Sequence, residues 1–272
     1  MIKRVLTVVI GLPIVILLVH LGGPAILALC GVMALLGLRE LYTAFHGQDR
    51  PIHYVGYGFT VVYFAAAFFL NPGLAVLFAV TGLIIGVQLC LVLFYGELSL
   101  DECVKVVYGA LYVPFLLAFV VFVRQHELGS VFVWLIFASA FGCDTFAYIV
   151  GVNFGRHKLE DSPSPKKSVE GLFGGVFGAA LVGGVYAFCI TRFTDLAPEG
   201  FIPIAVFTCA FAAIFCILGD MAASAIKRQT GLKDFGGIFP GHGGVLDRID
   251  SITLAAPVIF AALIAGTRAG IL

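Results

Sequence analysis

Charge is what this chain has least of. Only 12% of its 272 residues are Asp, Glu, Lys or Arg, about half the fraction a soluble domain carries. With 61% hydrophobic residues and a mean hydropathy of +1.08, a water-soluble globule is excluded and an integral membrane protein is indicated. The formal net charge is zero, which leaves no electrostatic reason to expect a nucleic-acid partner. No CxxC pair and no Cys/His cluster occurs. The seven cysteines fall mostly inside apolar runs and read as small core residues, neither disulfides nor zinc ligands. No small-residue cleavage site follows the first apolar run, so that run reads as a retained helix. No internal repeat is evident, which disfavours repeat-built transporters.

What is there in abundance is long apolar stretches. Runs of about 17–25 residues are taken as spans, and nine emerge: 5–21, 24–45, 55–70, 73–94, 104–123, 131–151, 171–191, 202–226 and 251–267. The third is the shortest. Placing the N-terminus in the cytoplasm leaves only Arg124, Arg192 and Arg268 of the 16 Lys and Arg on the far side, a strong positive-inside bias. The expected fold is therefore all-α, a polytopic membrane protein of about nine transmembrane helices with its N-terminus cytoplasmic. Residues 1–125 read as scaffold helices, with lipid access and oligomer contacts as their expected roles. Residues 126–272 read as the catalytic region, with cytoplasmic loops 152–170 and 227–250.

The first half offers little chemistry. Arg39 and Glu40 at a helix end read as an interfacial ion pair of modest worth. The scattered Phe and Tyr read as packing or lipid-facing residues. Gly82, Gly86, Gly109 and Ala110 read as points of close helix contact.

The second half concentrates its polar residues. Asp144 lies seven residues before Gly151 and Asp220 seven before Lys227, each about 10 Å deep at the helical rise. A carboxylate in hydrocarbon is costly unless it faces a wet cavity and a partner, and neither run contains a basic residue. Asp247 and Asp250 share a face if the last run begins helical; stabilising the helix dipole is the competing structural role. Four carboxylates without nearby Cys or His suit Mg²⁺ or Mn²⁺, with room for a second cation. Around them lie groups suited to phosphate. Loop 152–170 brings Arg156, His157, Lys158, Lys166, Lys167 and Ser168. The stretch 224–250 brings Ser224, Lys227, Arg228, Lys233, Arg248 and the Pro240-Gly241-His242-Gly243-Gly244 run, whose amides can form an anion nest. Acids, cations and a glycine turn together point to phosphoryl or nucleotidyl transfer, in which positioning and charge neutralisation do most of the work.

The spacing Ser224-x-x-Lys227-Arg228, then Lys233-Asp234, then Pro240-x-His242-Gly243-Gly244-x-x-Asp247-Arg248-x-Asp250 resembles the signature of phosphatidate cytidylyltransferases. The upstream runs Asp144-Thr145-x-Ala147-Tyr148-x-x-Gly151-x-x-Phe154-Gly155-Arg156-His157 and Ser164-Pro165-x-Lys167-Ser168-x-Glu170-Gly171 resemble it too. The likeness covers roughly residues 140–250. It implies transfer of CMP from CTP to phosphatidic acid in a bilayer with a divalent metal, and it admits a homodimer. The charge bias puts the expected site on the cytoplasmic side, and the short chain and bare N-terminus suggest a bacterial inner membrane. On that resemblance Asp220 and Asp247 lead the metal ligands, with Asp144 and Asp250 in or beside the cluster. Asp220, Asp247, Lys167 and Arg248 are the expected catalytic residues. Lys166, Lys167, Ser168, Ser224, Lys227, Arg228, Lys233, His242, Gly243 and Gly244 are the expected substrate contacts. Two alternatives stay open: a CTP-dependent lipid-alcohol kinase, and a cation-coupled transporter.

Overall fold

The computed structural model describes residues 2–47, 50–238 and 243–272, with the side chains of residues 2–8 and 10 left aside. The described residues form helices joined by loops: α1 (Ile2–Leu21), α2 (Gly23–His46), α3 (His53–Phe69), α4 (Pro72–Leu93), α5 (Leu100–Gln125), α6 (Gly129–Phe154), α7 (Val169–Phe193), α8 (Phe201–Gln229) and α9 (Leu246–Arg268). Among the described residues there is no strand; an antiparallel bridge joins Lys158 and Ser168. Each helix overlaps one expected apolar run. Seven are long and apolar enough to cross a membrane; Gly11–Leu21 and His53–Phe69 are apolar but shorter.

Local chemistry sets the helix ends. Asn71 accepts the Leu74 N–H at 3.0 Å, with Pro72 in the first turn where its missing N–H costs nothing. Ser99 and Glu102 form a reciprocal capping box at the start of α5. Further along, α5 widens into a π-helical turn over Leu111–Phe115, where Pro114 cannot donate to the ordinary ladder.

The chain divides into two compact units, Met1–Phe122 with Thr230–Ile249, and Val123–Gln229 with Asp250–Leu272. The core of the first unit is aromatic. Tyr42 is fully buried and donates to the Val106 carbonyl at 2.7 Å, while Tyr63 stacks between Phe59 and Phe115. Phe59, Tyr63 and Phe115 are thus packing residues, whereas Tyr54 and Phe69 on α3 and Tyr108 on α5 are exposed. Of the glycines expected at close contacts here, Gly109 lies against Tyr42 and Leu38, and Gly86 against Val55. Around Gly82, by contrast, there is open space.

The second unit is built on a seam of small residues. A Cβ at Gly171 would meet the Ala147 carbonyl, one at Gly174 would meet Val150, one at Gly175 would meet Cys143, and one at Gly178 would meet Phe146. These four glycines recur along one face of α7, so its backbone lies directly against α6. Large side chains such as Phe173 and Phe207 remain exposed, as expected of surfaces facing lipid. The cysteines are all free, and five of the seven are buried.

Candidate active site

In the second unit the site starts with the 155–168 loop. Glu170, in the first turn of α7, accepts the N–H groups of Arg156 (3.1 Å) and His157 (3.2 Å), and its carboxylate also pairs with the His157 ring. His157 was expected to be available to phosphate; its ring is instead engaged by Glu170. The loop then closes on itself: Leu159 N–H donates to Lys167 O at 3.0 Å, Lys167 N–H to Ser164 O at 3.0 Å, and Val169 N–H to His157 O at 3.0 Å. The backbone of Lys167 is therefore fixed on both its polar atoms.

That fixing aims the Lys167 side chain, whose ammonium pairs with Oδ2 of Asp220 on α8. The sequence offered no cation inside the span to partner Asp220; the partner comes from the loop, 53 residues earlier in the chain. Ser168, expected to contact substrate, is buried at 1% exposure and accepts the Gly171 N–H at 3.2 Å, so its hydroxyl caps α7. Gly155 is needed alongside it, because a Cβ there would run into Ser168 and the Gly151 carbonyl.

Asp220 has acidic company. Asp250, near the start of α9, is buried, with Asp220 and Asp144 acting on it as nearby like charges and Lys227 as a nearby positive one. Its Oδ1 accepts the Ser251 N–H at 2.7 Å. The backbones of α8 and α9 approach closely at this point, since a Cβ on Gly219 would strike the Asp250 carbonyl. Asp144, on α6, is exposed. Three carboxylates and the ammoniums of Lys167 and Lys227 thus sit within electrostatic range, leaving an excess of negative charge in this cluster. The donor set is all oxygen, which is the chemistry of a hard divalent cation. Among the described residues no three Asp, Glu, His or Cys side chains converge as a ready-made cage.

The remaining expected residues of this unit are on or beside α8. Ser224 and Lys227 are half-buried, Arg228 is exposed with Nε 3.5 Å from the Pro163 carbonyl, and Lys166 is exposed on the loop.

In the first unit the 230–249 segment is held by two carboxylates. Asp247 Oδ2 accepts N–H groups from Phe235 (2.9 Å) and Gly244 (3.0 Å). This oxygen, expected on a metal, therefore shapes the loop. Gly243 adopts φ +82°, a left-handed conformation that favours glycine, and a Cβ there would press on Asp247 and Asp234. Lys233, Asp234 and Arg248 are exposed. His242 and Gly241, expected in the phosphate turn, lie outside the described residues.

The second carboxylate is Glu40 on α2, which sequence reasoning left at an interface. It is buried and accepts the Val245 N–H at 3.0 Å and the Leu246 N–H at 2.9 Å. The only signal for it in the sequence was an acid inside a long apolar run. Glu170 likewise had no expected role, although it stands beside Ser168 in a motif already singled out.

These elements define a class: a polytopic, all-helical membrane protein with an acid-and-ammonium cluster in one unit and a carboxylate-braced glycine loop in the other. Residues 2–265 match the model of the Cytidylyltransferase family, and the chain belongs to that family. It is 36% identical over 153 residues to the phosphatidate cytidylyltransferase of Thermotoga maritima, covering 55% of each chain. It is 31% identical over 170 residues to that of Bacillus subtilis, covering 62% of this chain and 61% of the relative. With the Haemophilus influenzae protein of the same name it shares 41% over 128 residues, 45% of this chain and 42% of the relative. The aligned part of the chain spans about half the length of such relatives.

Proposed function

We propose that the protein is a phosphatidate cytidylyltransferase, transferring CMP from CTP to phosphatidic acid to form CDP-diacylglycerol and pyrophosphate. The observation that carries this reading is the Lys167–Asp220 ion pair beside Asp144 and Asp250, in a chain of the Cytidylyltransferase family. The name its relatives carry supports it.

In this reading an oxygen of the phosphatidate phosphate attacks the α-phosphorus of CTP. A new P–O bond forms as the bond to the bridging oxygen breaks, and pyrophosphate leaves. No general base is required, because a phosphate monoester is already ionised near neutral pH. Both reactants are anions, so the barrier is largely one of charge. Asp220 and Asp250, with Asp144 beside them, would hold Mg²⁺; when bound, it supplies charge neutralisation on the triphosphate and a template for its oxygens. Lys167 places its ammonium at the α8 carboxylate, where it offsets charge on a phosphate sharing that site. Asp247 holds the backbone at Phe235 and Gly244, with the exposed Lys233 and Arg248 nearby in the chain as anion-facing cations. A headgroup site on helices that cross a bilayer suits a lipid substrate, with CTP arriving from the cytoplasmic side of an inner membrane.

The test is pyrophosphate release by the purified protein given CTP, Mg²⁺ and phosphatidic acid, each omitted in turn. Release that requires all three, with CDP-diacylglycerol as the lipid product, is the expected result. Formation of CDP and a phosphorylated lipid alcohol would instead assign a kinase.

A further inference from the structure

We infer that Glu40, a residue of the N-terminal helices, is a positioning residue for residues 244–248 at the start of α9, whose Arg248 is, in the proposed function, an anion-facing cation. Its two acceptors meet the N–H groups of Val245 and Leu246 at 3.0 and 2.9 Å. Those amides open α9, where no intrahelical carbonyl is available to them and a negative charge is favoured. The loop is cut to fit this carboxylate. A Cβ at Gly236 or at Gly244 would collide with the Glu40 side chain, so these two glycines clear the space in which it sits. Asp247 Oδ2 meanwhile takes the amides of Phe235 and Gly244. Two carboxylates thus bind four backbone N–H groups between residues 235 and 246. One of the acids comes from within the segment and the other from 205 residues away. With these amides committed, the backbone at Phe235 and at residues 244–246, beside Lys233 and Arg248, is held in place. Glutamine cannot take over, because its NH₂ would face a backbone N–H. Aspartate keeps both acceptors on a shorter arm.

The test compares wild-type, Glu40→Gln and Glu40→Asp proteins in detergent, by steady-state pyrophosphate release and by amide hydrogen exchange. In folded Glu40→Gln, exchange at Val245 and Leu246 is expected to accelerate about tenfold or more, as two charge-assisted hydrogen bonds are weakened. KM for CTP is expected to rise about tenfold. Glu40→Asp is expected to recover part of both changes. A residue that serves stability alone would lower the amount of active protein and leave KM for CTP unchanged. That outcome, or unaltered exchange at Val245 and Leu246, overturns the inference. If the wild-type protein releases no pyrophosphate, the functional reading falls, and the exchange measurement still decides whether Glu40 sets the loop.

Discussion

The two units hold their polar residues in place by different means. In the second, the frame is close backbone contact: glycines of α7 lie on α6, and Gly219 lies on the Asp250 carbonyl. A contact of this kind has no rotamer to adjust, so the carboxylates attached to those helices inherit fixed separations. In the first, the frame is a core of aromatic rings, and the polar segment is tied to it by side-chain oxygens accepting backbone N–H groups. One unit sets the position of charges through helix packing, the other sets the shape of a loop through hydrogen bonds. The division matches what each holds: carboxylates that would share an ion must keep their spacing, whereas a loop that would meet phosphates needs its amides and cations turned one way.

Substitutions can break or sharpen this contrast. The largest effect is expected for Asp220→Asn, which should cut pyrophosphate release by about a thousandfold while the protein melts as before; near-normal turnover would remove Asp220 from the site. Lys167→Met should cost about a hundredfold in kcat/KM for CTP, and Lys167→Arg should restore only part of it, since a guanidinium does not replace an ammonium at a tight ion pair. A loss confined to stability would make the Lys167–Asp220 pair structural. Gly178→Val drives a side chain into Phe146 and should lower stability by about 1–3 kcal/mol, read as a drop in melting temperature in detergent. The matching change in the first unit, Gly82→Ala, meets open space and should leave stability within about 0.5 kcal/mol of wild type. If those last two melt alike, the seam is no more rigid than the rest.

The helices were legible because each apolar run is long and its ends carry Gly, Pro or charge; the nine runs map one to one onto α1–α9. The acids of the second unit were legible for the opposite reason, as carboxylates where hydropathy forbids them. What the sequence concealed was pairing at a distance. Nothing in the 155–168 loop says that Lys167, rather than Lys166 or Lys158, meets Asp220; that choice follows from the Glu170 clamp and the bridge at Ser168. Asp247 looked like a metal ligand because its neighbours are acids and cations, yet one of its oxygens is taken by two amides. Ser168 looked like a phosphate contact, and the same hydroxyl that suits phosphate suits the first turn of a helix. The Gly171–Gly178 seam against α6 was not anticipated from the sequence, where only Gly82, Gly86, Gly109 and Ala110 read as points of close contact.

The Glu40 contact also sets an order of events during synthesis. The carboxylate emerges first, and its two amide partners follow 205 and 206 residues later. At about 5–20 residues per second, that is a wait of roughly 10–40 s. Throughout that interval the N-terminal helices carry an acid whose destination does not yet exist, and an acid in such surroundings is costly to leave without hydrogen bonds. The first unit is therefore completed only after the chain has returned from building most of the second, and a chain stopped early leaves this carboxylate without those two amides.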